Sequence, residues 1–211
     1  MNDRGKTGCG CLLAILVIIM VIAGIGFHPV SLKYVTKYLR YEDPIVTADA
    51  IFVPRFHEDK NGELYSDAFR EYFAGNGRAV YVENDRLVGR KDIGATLNHM
   101  AQARGVKESV VKTVNPGDRD AMRPSEIKKK LKAAGLKKVI VIVPEYAARR
   151  YHVIYSRDTG GTLYMIKPLK VSYFQSDRWW RDHLSRALTA HEVYTVLVDY
   201  YNEFAKKGPD K

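Results

Sequence analysis

Apolar and polar positions divide the chain into one long apolar run near its start and a series of short apolar runs separated by amphipathic segments. Five short runs rich in β-branched and aromatic residues predict buried strands, at residues 48–54, 78–82, 109–114, 139–143 and 162–166. Helix-like segments alternate with these runs, which is typical of a parallel sheet with helices on both faces. The sequence therefore predicts an α/β fold, a three-layer Rossmann-like domain with a mostly parallel sheet, over residues 48–206.

Apolar residues spaced three and four apart predict the helices between these strands. Ser66, Asp92 and Ser125 are the expected caps of the first three, and a fourth passes through Tyr151. A long helix is expected over residues 189–206, followed by a tail at 207–211. Its expected buried side consists of Val193, Val196, Leu197, Tyr200 and Phe204, with Trp179 and Trp180 packed on the sheet edge to seat it.

The long apolar run predicts a membrane anchor. No charged residue occurs between Lys6 and Lys33, and residues 9–27 are almost wholly apolar. A bilayer is spanned by roughly 20 such residues. A cleavable signal peptide is the alternative, but its apolar region should have only about 7–15 residues before a small-x-small cleavage site. Because the run here is longer, we expect a short basic tail at 1–8 and a single-pass anchor at 9–28.

The segment after the anchor allows two interpretations. Val30, Tyr34, Val35 and Tyr38 share one helical face, which fits an amphipathic helix at the lipid head groups. A plain linker over residues 29–47 is the favoured interpretation. Basic residues lie on both sides of the anchor in similar number, so they do not decide its orientation.

Charge and cysteine content narrow the partners only slightly. The 211 residues carry a formal net charge of +10, with 46% apolar and 27% charged residues, as in a globular protein. The positive charge suits phospholipid head groups, phosphorylated substrates or nucleic acid, or else only a basic surface. No base-reading motif is visible, so no nucleic acid partner is expected. Cys9 and Cys11 are the only cysteines, so the rest of the chain forms no disulfide.

Polar residues follow each predicted strand, and ligands of open α/β sheets bind outside the carboxyl ends of the strands. Arginine suits bidentate binding of phosphate or carboxylate, and Arg149 and Arg150 open the helix after the fourth strand. These features predict an anion site, although either arginine could instead pair with Glu145 or Asp118. The predicted ligand-binding residues are Arg55, Asn84, Asn115, Arg119, Tyr146, Arg149 and Arg150.

Standard catalytic constellations are absent from the sequence. There is no G-x-G-x-x-G after a strand, no G-K-[ST] loop, no G-x-S-x-G elbow and no His/Cys cluster with metal-ligand spacing. His57, followed by Glu58 and Asp59, is a weak acid–base group. Catalysis therefore stays unassigned, with His57, Asp118 and Glu145 as the candidates and no metal site.

Two segments of the chain, A-D-A-I-F-V and V-I-V-P-E-Y-A-A-R-R-Y, carry a family resemblance. They resemble the opening strand and the V-T-S-x-Y-H-x-R-R-A motif of the domain-of-unknown-function family that includes YdcF, SanA and ElyC. Arg149 and Arg150 match the family arginines, and W-W-R with the later Glu192 resembles its carboxy-terminal pattern. The likeness covers roughly residues 48–201.

The chain departs from the family pattern at the loops. Ala147 replaces the family histidine, residues 54–56 replace the glycines after strand one, and residues 83–85 replace a Ser-Gly-Gly. Glycine loops let backbone N–H groups approach a ligand closely. Their loss here indicates a divergent member of such a family.

The resemblance implies a role in the bacterial envelope, with the domain outside the inner (plasma) membrane. Family roles concern peptidoglycan and polysaccharide assembly and lipid-carrier metabolism, so the implied partner is an envelope precursor or lipid-linked substrate. The resemblance also allows S-adenosylmethionine as a cofactor. A phosphorylated or nucleotide-like anion is then the expected ligand, and the alternative is a non-enzymatic scaffold or partner-binding domain that has lost the family site.

Overall fold

The fold is a five-stranded, all-parallel sheet with the strand order β3-β2-β1-β4-β5. The computed structural model describes residues 15–18, 20–21, 24, 28–83, 93–106, 110–114, 124–157 and 160–206. The predicted parallel α/β fold is thereby confirmed, since every strand pairs in parallel with its neighbours. The strands are β1 (Ala50–Val53), β2 (Val80–Glu83), β3 (Val111–Val114), β4 (Lys138–Pro144) and β5 (Leu163–Leu169).

Helices connect or flank these strands in the described part of the chain. The helices are α1 (Pro29–Leu39), α2 (Glu63–Phe73), α3 (Ile93–Ala103), α4 (Pro124–Ala133), α5 (Ala148–Ser156) and α6 (His183–Lys206), and the 3₁₀ segment is Ser176–Arg181. The chain builds β1 to β3 toward one edge and then crosses back to place β4 and β5 on the other side. The crossing puts β1 and β4 side by side at the centre of the sheet.

Two apolar cores, one on each face of the sheet, give the domain its three layers. Alternate residues of a strand point to opposite faces. Ile140 and Ile142 of β4 therefore pack with α2 and α3 on one face, while Val139 and Val141 pack with α4 and α5 on the other. Strands buried on both faces read as continuous apolar runs, which is why the sequence shows them so clearly.

Two expected helix caps are corrected. Helix α2 begins at Glu63, before Ser66, because the Asp59 carboxylate accepts hydrogen bonds from the backbone N–H groups of Glu63 (2.8 Å) and Leu64 (3.0 Å). Helix α4 begins at Pro124, so Ser125 lies inside it. The expected cap of α3, Asp92, lies outside the described residues.

The last helix is longer and less buried than the sequence indicated. It begins at His183, and Val196 is buried as expected. Leu197 and Tyr200, which were expected to face inward, are exposed instead. Glu192 is buried on the inner side of the helix, where the sequence analysis had placed only apolar residues.

The segment after the predicted anchor is a helix docked on the domain, so a plain linker does not describe residues 29–39. Thr36 and Leu39 of α1 are buried. The Thr36 hydroxyl donates to the Ser176 carbonyl at 3.1 Å, and the Trp179 indole N–H donates to the Leu32 carbonyl at 2.8 Å. Trp179, expected to seat the last helix, thus also holds α1.

Most of the predicted anchor, residues 9–28, lies outside the described part of the chain. Among the residues that are described, none belongs to a helix long and apolar enough to cross a membrane. The basic tail at 1–8 and the tail at 207–211 also lie outside the described residues.

We expect Gly77→Ala to destabilise the domain by overpacking. A Cβ at Gly77 would lie 2.6 Å from Cγ1 and 2.8 Å from Cδ1 of the fully buried Ile51. Such overpacking costs about 1–3 kcal/mol of the free energy of unfolding, measured by urea denaturation. In an Ile51→Ala background, where the clashing atoms are gone, the same substitution should cost much less. An equal cost in both backgrounds would show that the clash is not the cause.

Candidate functional site

The candidate site lies at the carboxyl ends of β1 and β4, where the strand order reverses. In open α/β sheets this reversal opens a crevice for ligands. The loop after β1 supplies Arg55 and His57, and the loop after β4 supplies Glu145 and Tyr146. The predicted placement of these four residues at one rim follows from the parallel pairing of β1 with β4.

Glu83 joins this rim from the end of β2. Its carboxylate accepts a hydrogen bond of 3.0 Å from the backbone N–H of Arg55. Burial raises the pKa of Glu83 above its usual value, although that hydrogen bond and the charges of Arg55 and His57 act to lower it. A carboxyl group that holds its proton to a higher pH is suited to proton donation. The sequence analysis placed residue 83 in the loop after the second strand but did not include Glu83 among the candidate site residues.

Glu145 is a buried acid with an uncommitted oxygen. The residue is only 5% exposed, and its Oε1 has no hydrogen-bond partner among the residues that the structure describes. Its backbone N–H donates to the Leu169 carbonyl at 2.9 Å, which fixes the loop against the end of β5. Buried polar atoms are nearly always paired, so a carboxylate oxygen without a partner among the described residues marks this strand end as a place where a further donor can bind.

Tyr146 lies next to that acid among other aromatic rings. Its ring packs edge-on to Phe56, with centroids 6.3 Å apart, and lies 4.8 Å from Phe174. Burial, with the neighbouring Tyr173 as a smaller cause, raises the pKa of Tyr146. Neither the Tyr146 nor the Tyr173 hydroxyl makes a well-formed hydrogen bond to the described residues. Two neutral hydroxyls thus accompany the acid at this rim.

Arg150 is committed to the interior of the protein. Its guanidinium forms a two-point pair with the carboxylate of Glu192 on α6, at 2.6 Å and 2.8 Å. Burial alone would lower the pKa of Arg150, but the hydrogen bonds and charge of Glu192 outweigh burial, so the pKa of Arg150 lies above its usual value. The resemblance had matched both residues separately, and the structure joins them. This geometry favours a structural role for Arg150 over contact with a ligand.

Arg149 lies on the other side of α5, against α1. Its guanidinium carbon lies 4.8 Å from the ring centre of Tyr38 and 4.9 Å from that of Tyr41. Its Nε donates to the Tyr38 carbonyl at 3.1 Å. Arg149 and Arg150 are therefore not brought together at the rim, and Arg149 helps to hold α1 in place.

Clefts lined by described residues adjoin the rim, and they bring in Tyr65, Lys170 and Arg178, which the sequence analysis did not single out. A cleft of about 220 Å³ lies between the start of α2 and α3, beside Asp59 and Tyr65. Burial raises the pKa of Tyr65 to about 12. A larger open cleft of about 450 Å³ follows β5, with Lys170 and Arg178 in its lining. Because β5 extends to Leu169, beyond its predicted end, the following loop presents these cations near the strand ends.

Four of the predicted site residues, Asn84, Asn115, Asp118 and Arg119, lie outside the described residues. His57 is described, and it is exposed at the rim near Glu83. Within the described part of the chain, no group of three or more His, Cys, Asp or Glu side chains is arranged to hold a metal ion.

Comparison of the chain with family models, with curated proteins and with solved structures found no match.

We expect Glu83→Gln to stabilise the protein at neutral pH. A group whose pKa is raised by folding stabilises the native state below its unfolded pKa and loses that contribution as the pH rises. Ionisation of the partly buried Glu83 therefore costs free energy that a neutral glutamine avoids, while the glutamine oxygen can still accept from Arg55. Thermal unfolding should show a higher midpoint at pH 7 and no difference below about pH 4. Glu126→Gln, at an exposed acid, is the control. A rise in the unfolding midpoint that persists below pH 4 would contradict the burial argument.

Proposed function

We propose that this chain is a membrane-anchored protein of bacterial envelope biogenesis. Its α/β domain, placed outside the inner membrane, would bind a phosphorylated or nucleotide-like envelope precursor at the carboxyl-end rim of the sheet. The observation that carries the proposal is the buried carboxylate oxygen of Glu145, directly after β4, which has no hydrogen-bond partner among the described residues. The apolar run at 9–28 supports the anchor.

The mixture of groups at the rim favours a ligand with both hydroxyl and phosphate groups. Carboxylates such as Glu145 accept hydrogen bonds from sugar hydroxyls, while cations hold phosphate oxygens. The cations proposed for the phosphate are Arg55 at the rim and Lys170 and Arg178 in the larger cleft, because these residues lie beside the strand ends. A lipid-linked sugar phosphate of envelope synthesis has this chemistry.

If the site is catalytic, the proposed chemistry is acid–base. Glu83, whose pKa is raised by burial, would be the proton donor. Glu145 or His57 would be the proton acceptor. Asp118 keeps its place as a candidate from the sequence. S-adenosylmethionine also stays a proposal that follows from the resemblance alone.

A direct test uses purified full-length protein in detergent. A uridine diphosphate sugar, S-adenosylmethionine and inorganic phosphate are the three probes, and binding is measured by calorimetry. We expect the sugar nucleotide to bind, with at least about tenfold weaker affinity in Glu145→Gln, because the amide places an N–H where an acceptor is needed. Glu126→Gln, an exposed acid on α4, is the matched control.

The outcome separates binding from a scaffold role. Binding by none of the probes, together with native mass spectra that show no retained molecule, would remove the ligand proposal. A loss of affinity in Lys170→Ala/Arg178→Ala, without a change in the melting temperature, would place the phosphate in the larger cleft.

A non-enzymatic scaffold is the second candidate function. It is favoured by the engagement of both arginines with the protein itself and by Ala147 where related motifs carry histidine. A scaffold predicts that Glu145→Gln/Tyr146→Phe complements an envelope-defective strain as well as the unchanged protein does. Failure of that variant to complement, while it folds and reaches normal levels, would argue for the ligand site instead.

A further inference from the structure

The outer faces of α1 and α6 carry a set of large apolar side chains that the domain leaves uncovered. On α6 these are Tyr194, Leu197 and Tyr201, which are 68%, 62% and 72% exposed. Their spacing of three and four places them on one side of the helix, opposite the buried Val196. On α1, Val30, Tyr34 and Tyr38 form a similar exposed stripe.

The two stripes belong to one surface, here called the α1/α6 face. Helix α1 packs beside α6, and Tyr38 meets Tyr200 at the junction between them. Hydrogen bonding with Tyr200 and partial burial raise the pKa of Tyr38. Since Tyr200 follows Leu197 by three residues and precedes Tyr201, the exposed apolar surface continues from one helix to the other.

The composition of this face suits a lipid head-group region. Tyrosine is enriched where membrane meets water, because its ring is apolar and its hydroxyl is polar. Lys33 and Lys37 are exposed beside Tyr34, and no acidic residue occurs in α1. A helix with an apolar and basic outer face, buried on its other side, fits the surface of an anionic bilayer better than the interior of a protein complex.

Position in the chain points to the same partner. Helix α1 begins at Pro29, directly after the apolar run at 9–28. If that run crosses the bilayer, α1 starts at the head groups with no connecting linker. Trp179, Thr36 and Arg149 hold α1 to the domain, so the orientation of α1 also fixes that of α6.

We propose that the α1/α6 face lies on the lipid surface and holds the domain in one orientation on the anionic membrane. This inference rests on the membrane anchor of the proposed function. Tyr34, Tyr194, Leu197 and Tyr201 enter the head-group region, and Lys33 and Lys37 contact lipid phosphates. The rim that binds the ligand is thereby held at a constant height and angle above the bilayer.

Site-directed labelling of the full chain in vesicles tests the inference. Cys9 and Cys11 are replaced by serine, and one cysteine is introduced at Tyr34, at Tyr194 or, as a control, at Gln102. Gln102 is exposed on α3, next to β3 at the far edge of the sheet. A bimane label at each position is exposed to vesicles of phosphatidylcholine and phosphatidylglycerol that contain a head-group nitroxide lipid.

Labels at 34 and 194 should lose about half or more of their fluorescence, while the label at 102 changes little, since a docked face lies within the head-group layer. Lys33→Glu/Lys37→Glu should reduce the quenching, because each near-surface lysine changes membrane association about fivefold. Quenching at 34 and 194 no greater than at 102 overturns the inference. So does efficient disulfide crosslinking between copies at 194 with no lipid quenching, which would show that a second copy covers the face.

Alkaline carbonate extraction of the same vesicles separates this inference from the anchor. Protein that resists extraction but shows no quenching keeps the anchor and refutes the docked face. Protein that is extracted yet quenched at neutral pH refutes the anchor and supports a peripheral docked face.

Discussion

Arg150→Ala should lower the free energy of unfolding by about 3–5 kcal/mol, because it leaves a buried carboxylate without its partner. Glu192 is only 2% exposed, and its two oxygens accept from the Arg150 Nε and Nη2 atoms. For a chain of this size, such a loss lowers the melting temperature by roughly 10 °C. Differential scanning fluorimetry and urea denaturation measure both quantities.

The comparison of single and double substitutions identifies the cause. Glu192→Leu alone should cost a similar amount, since it strands the arginine. Arg150→Met/Glu192→Leu should recover most of the loss, because an apolar pair of similar volume leaves no uncompensated charge. Arg149→Ala is the matched control and should cost only about 0.5–1 kcal/mol, as its main contacts are cation–π contacts at the surface. A double variant no better than either single would mean that packing, not charge, makes this site sensitive.

The central strands were predicted well from the sequence, because a strand that is buried on both faces has an unbroken run of apolar residues. In β4, every residue from Val139 to Pro144 is buried, and the predicted strand at 139–143 differs from it by one residue at each end. The edge strand β3 gives a weaker signal, because Val111 and Val114 are buried while Lys112 and Thr113 are exposed. It begins two positions after the predicted start.

The ends and buried faces of the helices were harder to predict, because they depend on residues outside each helix. Ser66 is a good N-cap residue, yet Asp59, four residues before Glu63, supplies the carboxylate that starts α2. The face of α6 was misassigned at Leu197 because apolar periodicity cannot distinguish an inner stripe from an outer one. Both stripes on this helix are apolar, and only the packing of α6 on the domain decides between them.

The candidate site was partly predictable. Parallel strands bring their trailing loops to one rim, so Arg55, His57, Glu145 and Tyr146 could be placed together before any coordinates. The pairing of Arg150 with Glu192 could not be predicted, because Glu192 is 42 residues further along the chain and reaches Arg150 only through the packing of α6 on α5. The same limit hid Glu83, whose shifted pKa arises from burial and not from its sequence neighbours.

A second large effect is expected at Lys167, which holds two acids together on one face of the sheet. Its Nζ lies 2.8 Å from the buried Asp67 and 2.5 Å from Glu71, both on α2. Asn76 also donates to Glu71, at 2.6 Å. Burial alone would raise the pKa of Glu71, but the hydrogen bonds from Lys167 and Asn76 lower it below its usual value.

Lys167→Met should therefore destabilise the protein by about 3 kcal/mol at pH 7, since two neighbouring carboxylates lose their shared cation. Asp67 keeps its ion pair with the largely exposed Arg70, but that pair does not replace the contact of Lys167 with Glu71. A depressed pKa such as that of Glu71 contributes stability above the unfolded pKa, and this contribution disappears as the pH falls. The deficit of the variant should thus be largest at neutral pH and shrink below about pH 4.

Urea denaturation at several pH values measures this profile, with Lys138→Met as the control because Lys138 is exposed at the start of β4. The control should change stability by less than about 0.5 kcal/mol. Adding Asp67→Asn and Glu71→Gln to Lys167→Met should restore most of the loss at pH 7, since neutral amides no longer repel each other. A deficit that stays constant from pH 7 to pH 4 would assign the effect to the packing of the lysine stem against α2, and not to the charges that it joins.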